Sequence, residues 1–330
     1  MINLKRVLCP VDLSELSMLA LRFAQAVAGR YGASLSILHV LENPYLDIPG
    51  GDTGAFSFGE LVELYREERE EEILTVLRRK DAHAVESQIV FKEGVPYDEI
   101  TKFAKETETD MIIMSTCTDG HHEVLAGCTT ERVVRLAPCP VLSVRTDHAP
   151  EKRVKIEHMH DLMNIEPKAT RTILLPTDFS EHSALAADYA ISLARKYDAS
   201  IIVLHVLERV AEFTPMMGSD LPGYETALAY YDELFKNAKT IVKKICDRAG
   251  EYNVVAHERV ISGNPRYEIL DIAKLEPIDL IVIGTHGRRG VSRVIHGSVA
   301  EAVVRHAPCS VLSVKRPEHD FIALDENKEP

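Results

Sequence analysis

No apolar run in this sequence approaches the roughly 20 residues that a membrane-spanning helix needs. The opening residues, Met1-Ile2-Asn3-Leu4-Lys5-Arg6-Val7, lack the long apolar segment of a signal peptide and read straight into a strand. The expectation is a cytoplasmic protein with no membrane partner. Cysteine is scarce: six in 330 residues do not make a disulfide framework. Cys139 and Cys309 stand in matching Ala-Pro-Cys contexts before apolar stretches and read as small core residues. Positive charge is short too. Lys and Arg number 38 against 51 Asp and Glu, a formal net charge of −13, which speaks against general binding to nucleic acid or an anionic membrane. A local basic pocket is still allowed. The hydrophobic fraction of 45% and charged fraction of 27% are those of a globular protein. The length suffices for two domains of ordinary size.

What the sequence does contain is a duplication. Residues 6–42 and 172–208 align without a gap, pairing Pro10 with Pro176, Asp12 with Asp178, Ser14 with Ser180 and His39 with His205. The ends of the halves agree as well: 131–144 reads ERVVRLAPCPVLSV and 301–314 reads EAVVRHAPCSVLSV. A period of about 170 residues is a repeated domain, since solenoid repeats are far shorter. The expected layout is a domain over 1–148, a charged, proline-flanked linker over 149–169, a second domain over 170–317 and a polar tail over 318–330.

Each half alternates short apolar runs with helical patterns. In the second half, 172–175 is an apolar strand ended by Pro176. Glu181–Tyr197 has Leu185, Ala186, Tyr189, Ile191, Leu193 and Ala194 at helical spacing, with Ser180 as the N-cap. Further strands are predicted over 200–207, 253–261, 280–283 and Ser310–Val314. Further helices are predicted over 227–249, Pro265–Leu275 and Ser298–His306. This order implies an α/β fold in each half, a doubly wound parallel sheet with helices on both faces.

After the fourth strand of the second half comes Gly284-Thr285-His286-Gly287-Arg288-Arg289-Gly290, and the stretch closes on Gly297-Ser298 at the start of a helix. Glycines let a backbone come close to a ligand, and a helix N-terminus offers unpaired N–H groups and a positive dipole end. Arg288, Arg289 and Arg293 add positive charge to an acidic chain. Together these parts make a phosphate cradle. The residues also admit a plainer reading, in which Gly284 is a strand exit, Gly287 and Gly290 are turn residues and the arginines form a solvated face. Neither a Walker loop nor the dinucleotide fingerprint G-x-G-x-x-G is present.

The spacing Gly284-x2-Gly287-x9-Gly297-Ser298 resembles the ATP-binding signature of the universal stress protein family. Leu175-Pro176-Thr177-Asp178-Phe179-Ser180, His205-Val206, Gly263-Asn264-Pro265 and Ala307-Pro308-Cys309 are also similar to that family's motifs, and the likeness covers nearly all of both halves. The resemblance implies a tandem universal stress protein whose domains each hold a five-stranded parallel sheet in the order 3-2-1-4-5. It also implies ATP as ligand, with Mg or Mn. Carried over position by position, Pro176, Thr177 and Asp178 lie near ribose and adenine. Val206 meets adenine by its backbone, and Ile283 and Gly284 lie along the nucleoside. Gly287, Gly297, Ser298 and Val299 hold the phosphates, with Arg288 beside them.

The first half departs from the pattern. Ser115 and Thr118 replace the two leading glycines, the stretch to Gly127 is one residue shorter, and Cys128 replaces the closing serine. Asp119 and Glu123 put negative charge where the second half has Arg288 and Arg293. The first site is therefore read as lost. Cys117, His121, His122 and Cys128 do not have the spacing of a known zinc site, so no metal is expected.

The leading expectation is a regulatory adenine-nucleotide-binding protein of the stress response, in which ATP acts as a conformational or partner switch. The segments 209–224 and 288–292 are the mobile candidates. No catalytic residue set is visible, which leaves at most a weak ATPase; a slow ATP-hydrolysing enzyme and a nucleotide-independent interaction module are the rival readings. Val141–Val144 and Val311–Val314 are expected to pair within the chain as a pseudo-dimer, with a homodimer as the further option.

Overall fold

The computed structural model describes residues 2–42, 58–78, 85–116, 129–145, 170–208, 224–285 and 298–315. They form two compact units, the first ending at Arg145 and the second running from Thr170 to Lys315.

The first unit runs β1 (Arg6–Val11), α1 (Glu15–Tyr31), β2 (Ser34–Leu41), α2 (Phe58–Leu77), β3 (Ser87–Glu93), α3 (Pro96–Glu106), β4 (Met111–Ser115), α4 (Thr129–Leu136) and β5 (Val141–Val144). Its strands are all parallel and lie in the order β3-β2-β1-β4-β5. The second unit repeats the plan: β6 (Thr172–Pro176), α5 (Glu181–Tyr197), β7 (Ser200–Glu208), α6 (Tyr224–Glu251), β8 (Ala256–Gly263), α7 (Pro265–Leu275), β9 (Leu280–Gly284), α8 (Ser298–His306) and β10 (Ser310–Val314). Its order is β8-β7-β6-β9-β10, again all parallel. Both are the expected 3-2-1-4-5 sheet.

The central strands are apolar through their middles because helices cover both faces of a parallel sheet. Leu8 and Cys9 of β1, Ile112 and Ile113 of β4, Leu174 of β6 and Ile281 and Val282 of β9 are all buried. In the first unit α1 packs on β1 and β4 beside α2, while α3 packs on β2 beside α4. Cys139 and Cys309 are buried core residues, as their context predicts.

Local signals set most boundaries. Ser180 caps α5, its Oγ accepting from the Ser183 N–H at 3.2 Å. Asn264 caps α7 just ahead of Pro265. Three details differ from the sequence reading. Pro176 belongs to β6 although that strand is central. Its missing N–H costs nothing, because the ladder to β9 involves only Ile173 and Leu174. The strand predicted over 253–261 begins at Ala256, since Tyr252 to Val255 still turn out of α6: Asn253 sits at φ 60° and the Val254 N–H bonds back to Ala249. Leu185 is only partly covered, whereas Ala186 through Ala194 are all buried apart from Asp188. The alanines and Ser183 let α5 approach the sheet closely. Among the described residues no helix is long and apolar enough to cross a membrane.

Candidate functional site

In an open α/β sheet the crevice lies beyond the carboxyl ends of the strands where chain order reverses. In the second unit that point is between β6 and β9. Their ladder ends at Leu174, so the two strands part toward their carboxyl ends. Pro176, Thr177 and Asp178 stand at the end of β6, Val206 near the end of neighbouring β7, and Ile283 and Gly284 at the end of β9. Ser298 and Val299 open α8. The sequence-predicted residues Gly287, Arg288 and Gly297 lie outside the described residues. So do Arg289, Arg293, and the first unit's 117–128 with its Cys and His cluster.

The turn after β6 is held by a chain of short hydrogen bonds. Asp178 Oδ1 accepts from the Ser180 N–H at 3.1 Å and from Ser180 Oγ at 2.6 Å. Phe179 between them has φ 63°, a left-handed conformation that costs a non-glycine residue about 1–3 kcal/mol. The first unit repeats the arrangement: Asp12 Oδ1 accepts from the Ser14 N–H at 3.0 Å and its Oγ at 2.6 Å, and Leu13 has φ 66°. Burial alone would raise the Asp12 pKa; hydrogen bonds from Ser14 and Ser17 outweigh it and hold the carboxyl below its ordinary value. Because both units build this strained turn, including the one that has Ser115 and Thr118 in place of the leading glycines, the turn belongs to the fold. Asp178 first of all positions the N-terminus of α5.

The units diverge one residue earlier. Thr177 Oγ donates to Ser183 Oγ at 3.1 Å and accepts from the Phe179 N–H at 3.1 Å. Its counterpart Val11 can do neither, and there Ser17 Oγ accepts from the Asp12 N–H at 3.3 Å instead. The difference between Thr177 and Val11 is plain in the aligned repeats.

His205, repeated as His39, has a bonding role that its place in the repeat does not show. Its Nδ1–H donates to the Thr177 carbonyl at 2.7 Å, and its ring stacks on Phe179 with centroids 4.1 Å apart and planes 18° apart. A carbonyl cannot donate, so Nδ1 carries the hydrogen; in the neutral ring Nε2 is the acceptor. His39 does the same in the first unit, donating to the Val11 carbonyl at 2.8 Å. The histidine thus ties the end of one strand to the end of the next. Beside it Val206 is buried in the ladder to β8, opposite Ile261.

Gly284 is explained by packing. A Cβ built on it would stand 2.9 Å from the carbonyl carbon and oxygen of His182 and 3.1 Å from the Ser183 nitrogen. The first turn of α5 therefore lies directly over the end of β9, and only a glycine permits that approach. The first unit carries Ser115 at this position. There the Ser115 carbonyl accepts from Thr130 Oγ at 2.8 Å, and Thr116 Oγ accepts from Arg145 Nε at 3.3 Å. The counterpart of Thr130 is Ala300, which offers no such bond. At the start of α8, Ser298 is exposed and its carbonyl accepts from Arg266 Nη2 at 3.2 Å. Among the described residues, no group of three or more His, Cys, Asp or Glu side chains is placed to hold a metal ion.

The model of the universal stress protein family matches residues 3–145 and again 169–315. The chain belongs to the universal stress protein family. A universal stress protein of Methanocaldococcus jannaschii is 36% identical over 151 residues, which are 46% of this chain and 85% of that protein. Universal stress protein YxiE of Bacillus subtilis is 31% identical over 148 residues, 43% of this chain and 97% of its own. Each such relative has the length of one unit. A universal stress protein of Archaeoglobus fulgidus, solved by crystallography, spans both units. It aligns with 95% of this chain and 97% of its own at a TM-score of 0.64 and 20% identity, which is likeness of fold.

Proposed function

We propose that this tandem universal stress protein is an ATP-binding regulatory protein of the stress response, with one nucleotide held in the second domain. One observation carries the reading. The segment joining the end of β9 to the start of α8 has the spacing Gly284-x2-Gly287-x9-Gly297-Ser298, and it leaves the sheet where β6 and β9 part. The opening N–H groups of α8 have no partner within the helix and, with the helix dipole, favour a phosphate. In this reading Pro176, Thr177, Asp178 and Val206 face the nucleoside, and Ile283 and Gly284 line it. Gly287, Arg288, Gly297, Ser298 and Val299 take the phosphates with Mg or Mn.

The nucleotide acts as a switch and is turned over slowly at most. The Asp178 carboxylate is engaged in holding the turn, which does not place it as a general base. A ligand that binds one conformation better shifts its population by that difference in affinity. In this reading the first domain takes no nucleotide, because Ser115 and Thr118 replace its two leading glycines. Pairing of the domains through Val141–Val144 and Val311–Val314, and a homodimer of whole chains, belong to the same reading and rest on the tandem arrangement. Calorimetric titration with ATP and magnesium tests it. The expected stoichiometry is near one per chain; a value near two means that the first domain binds, and no heat means that the nucleotide reading is wrong.

A further inference from the structure

Exposed apolar side chains are common one at a time and carry no message singly. On α7 two of them share a ridge. Tyr267 and Leu275 are 63% and 85% exposed. They stand four residues either side of Asp271, itself exposed, and residues four apart on a helix are surface neighbours. Lys274, beside Leu275, is exposed as well. Among the described residues neither Asp271 nor Lys274 makes an ion pair or a side-chain hydrogen bond. The core residues of α7, Ile269, Leu270 and Ala273, lie on the opposite side of the helix, so the two exposed apolar residues add nothing to the packing on the sheet.

The first unit shows a plain solvent face at the same place. The aligned repeats set Asp98, Lys102, Lys105 and Glu106 of α3 against Tyr267, Asp271, Lys274 and Leu275 of α7. There the ridge is charged from end to end. Lys102 pairs with Asp98 at 2.7 Å and with Glu99 at 3.3 Å, and Glu106 is exposed.

The ridge of α7 also reads the same in both directions. Apolar, acidic, apolar at Tyr267, Asp271 and Leu275 is its own complement when a second copy lies antiparallel across it. A two-fold contact of this kind is isologous: Tyr267 of each chain meets Leu275 of the other. Asp271 then lies on the axis and faces its own copy, a repulsion unless a cation joins it. Lys274 is three residues on, about 4.5 Å of helix rise, and its long side chain spans that offset to the carboxylate across the axis. Two charges left unpaired in one chain are paired in two.

We propose that the outer face of α7 is the homodimer surface of this protein: Tyr267 packs on Leu275 of a second copy, and Asp271 pairs with Lys274 of that copy. This surface belongs to the homodimer of whole chains named above, on which it rests, and needs no nucleotide. A contact centred on one helix of 11 residues buries less than the roughly 1,200 Å² of a standard interface. The dimer is therefore reversible and forms as concentration rises.

The test is sedimentation equilibrium of the full chain without nucleotide, over the range of weak association from about 1 µM to 1 mM. Salt at about 0.15 M screens the long-range repulsion of two chains of net charge −13. The parent is expected to pass from monomer to dimer within this range. Tyr267→Asp combined with Leu275→Glu gives α7 the residues that α3 carries at these places, and should raise the dimer Kd at least about tenfold. Asp271→Lys and Lys274→Asp, made singly, should each raise it about threefold or more, because each sets like charges across the axis. Made together they should bring it back to within about twofold of the parent, which a merely structural role would not do. Leu136→Glu, a change of an exposed apolar residue of the first unit, should leave the Kd as it is. Thermal unfolding of each variant checks that the fold is intact. A parent that stays monomeric throughout overturns the homodimer and this surface together. A parent dimer that the Tyr267 and Leu275 changes leave equally tight forms through another face, and overturns this surface alone. Failure of the charge exchange to restore the Kd would overturn the antiparallel pairing of Asp271 with Lys274.

Discussion

At the residue scale, Gly284 shows how one position answers to two demands. The family resemblance puts it beside the nucleoside, and the packing puts the first turn of α5 against it. The second demand does not depend on any ligand. Gly284→Ala is therefore expected to destabilise the protein without nucleotide by about 1–3 kcal/mol, the usual cost of overpacking, because the atoms in the way are backbone and cannot swing aside. Urea unfolding of the nucleotide-free protein measures it. Stability equal to the parent's would mean that α5 does not lie so close. From sequence, Gly284 reads equally as a ligand contact or a strand exit, because the atoms that crowd it come from His182 and Ser183, about 100 residues earlier in the chain. Thr177 was open to discovery from the aligned repeats. His205 was visible as a repeated residue, but its bond to the Thr177 carbonyl needs the two strands side by side.

At the scale of elements, both ends of each sheet are secured by polar side chains, and the two ends have different tasks. At the carboxyl ends sit the strained turns that face the candidate site. At the amino ends, Asp110 Oδ2 accepts from the Lys5 and Arg6 N–H groups at 2.7 and 2.8 Å, locking the start of β1 to that of β4. Asp279 Oδ2 does the same for Arg171 and Thr172 at 2.9 and 3.1 Å, joining β6 to β9. Such a carboxylate satisfies two backbone donors at once, so its loss costs more than an ordinary hydrogen bond. Asp279→Ala should lower stability by about 1–3 kcal/mol and leave ATP affinity within about twofold, since the carboxylate sits at the far end of the strands from the crevice. Denaturant titration and calorimetry on the same sample check both halves of this statement; a large loss of affinity in a folded variant would contradict it. Element types were legible from periodicity, and the caps at Ser180 and Asn264 from local chemistry. The start of β8 was not, because the turn out of α6 is set by bonds back to Ala249 and Gly250 and not by any break in the apolar pattern.

At the scale of the whole molecule, two units with one plan diverge where ligand chemistry would act. If one of them binds ATP, ligand linkage stabilises that unit alone. With ATP at 100 times its Kd, the gain is about 2.7 kcal/mol, or roughly 5–10 °C in Tm for a domain of this size. Differential scanning calorimetry with and without ATP and magnesium should show one component of unfolding moving up and the other staying in place. Equal movement of both components would mean that both units bind, and would restore a function to the loop around Ser115 and Thr118.

The sequence by itself determined the duplication, the α/β class, the strand order that the family resemblance implied and the asymmetry between the two glycine-rich stretches. All of these are patterns that recur along the chain, and a repeat needs no folding to be read. Tertiary structure alone decided what the individual side chains do. It made Gly284 a contact for α5, set Asp178 to holding a strained turn, and bound His205 to the end of β6. It also laid the Arg266 guanidinium on the Ser298 carbonyl, 32 residues away along the chain. Contacts of this kind join residues that only a twisted parallel sheet and its crossover helices bring within 3 Å or so of one another, the reach of a hydrogen bond. Periodicity carries no record of them.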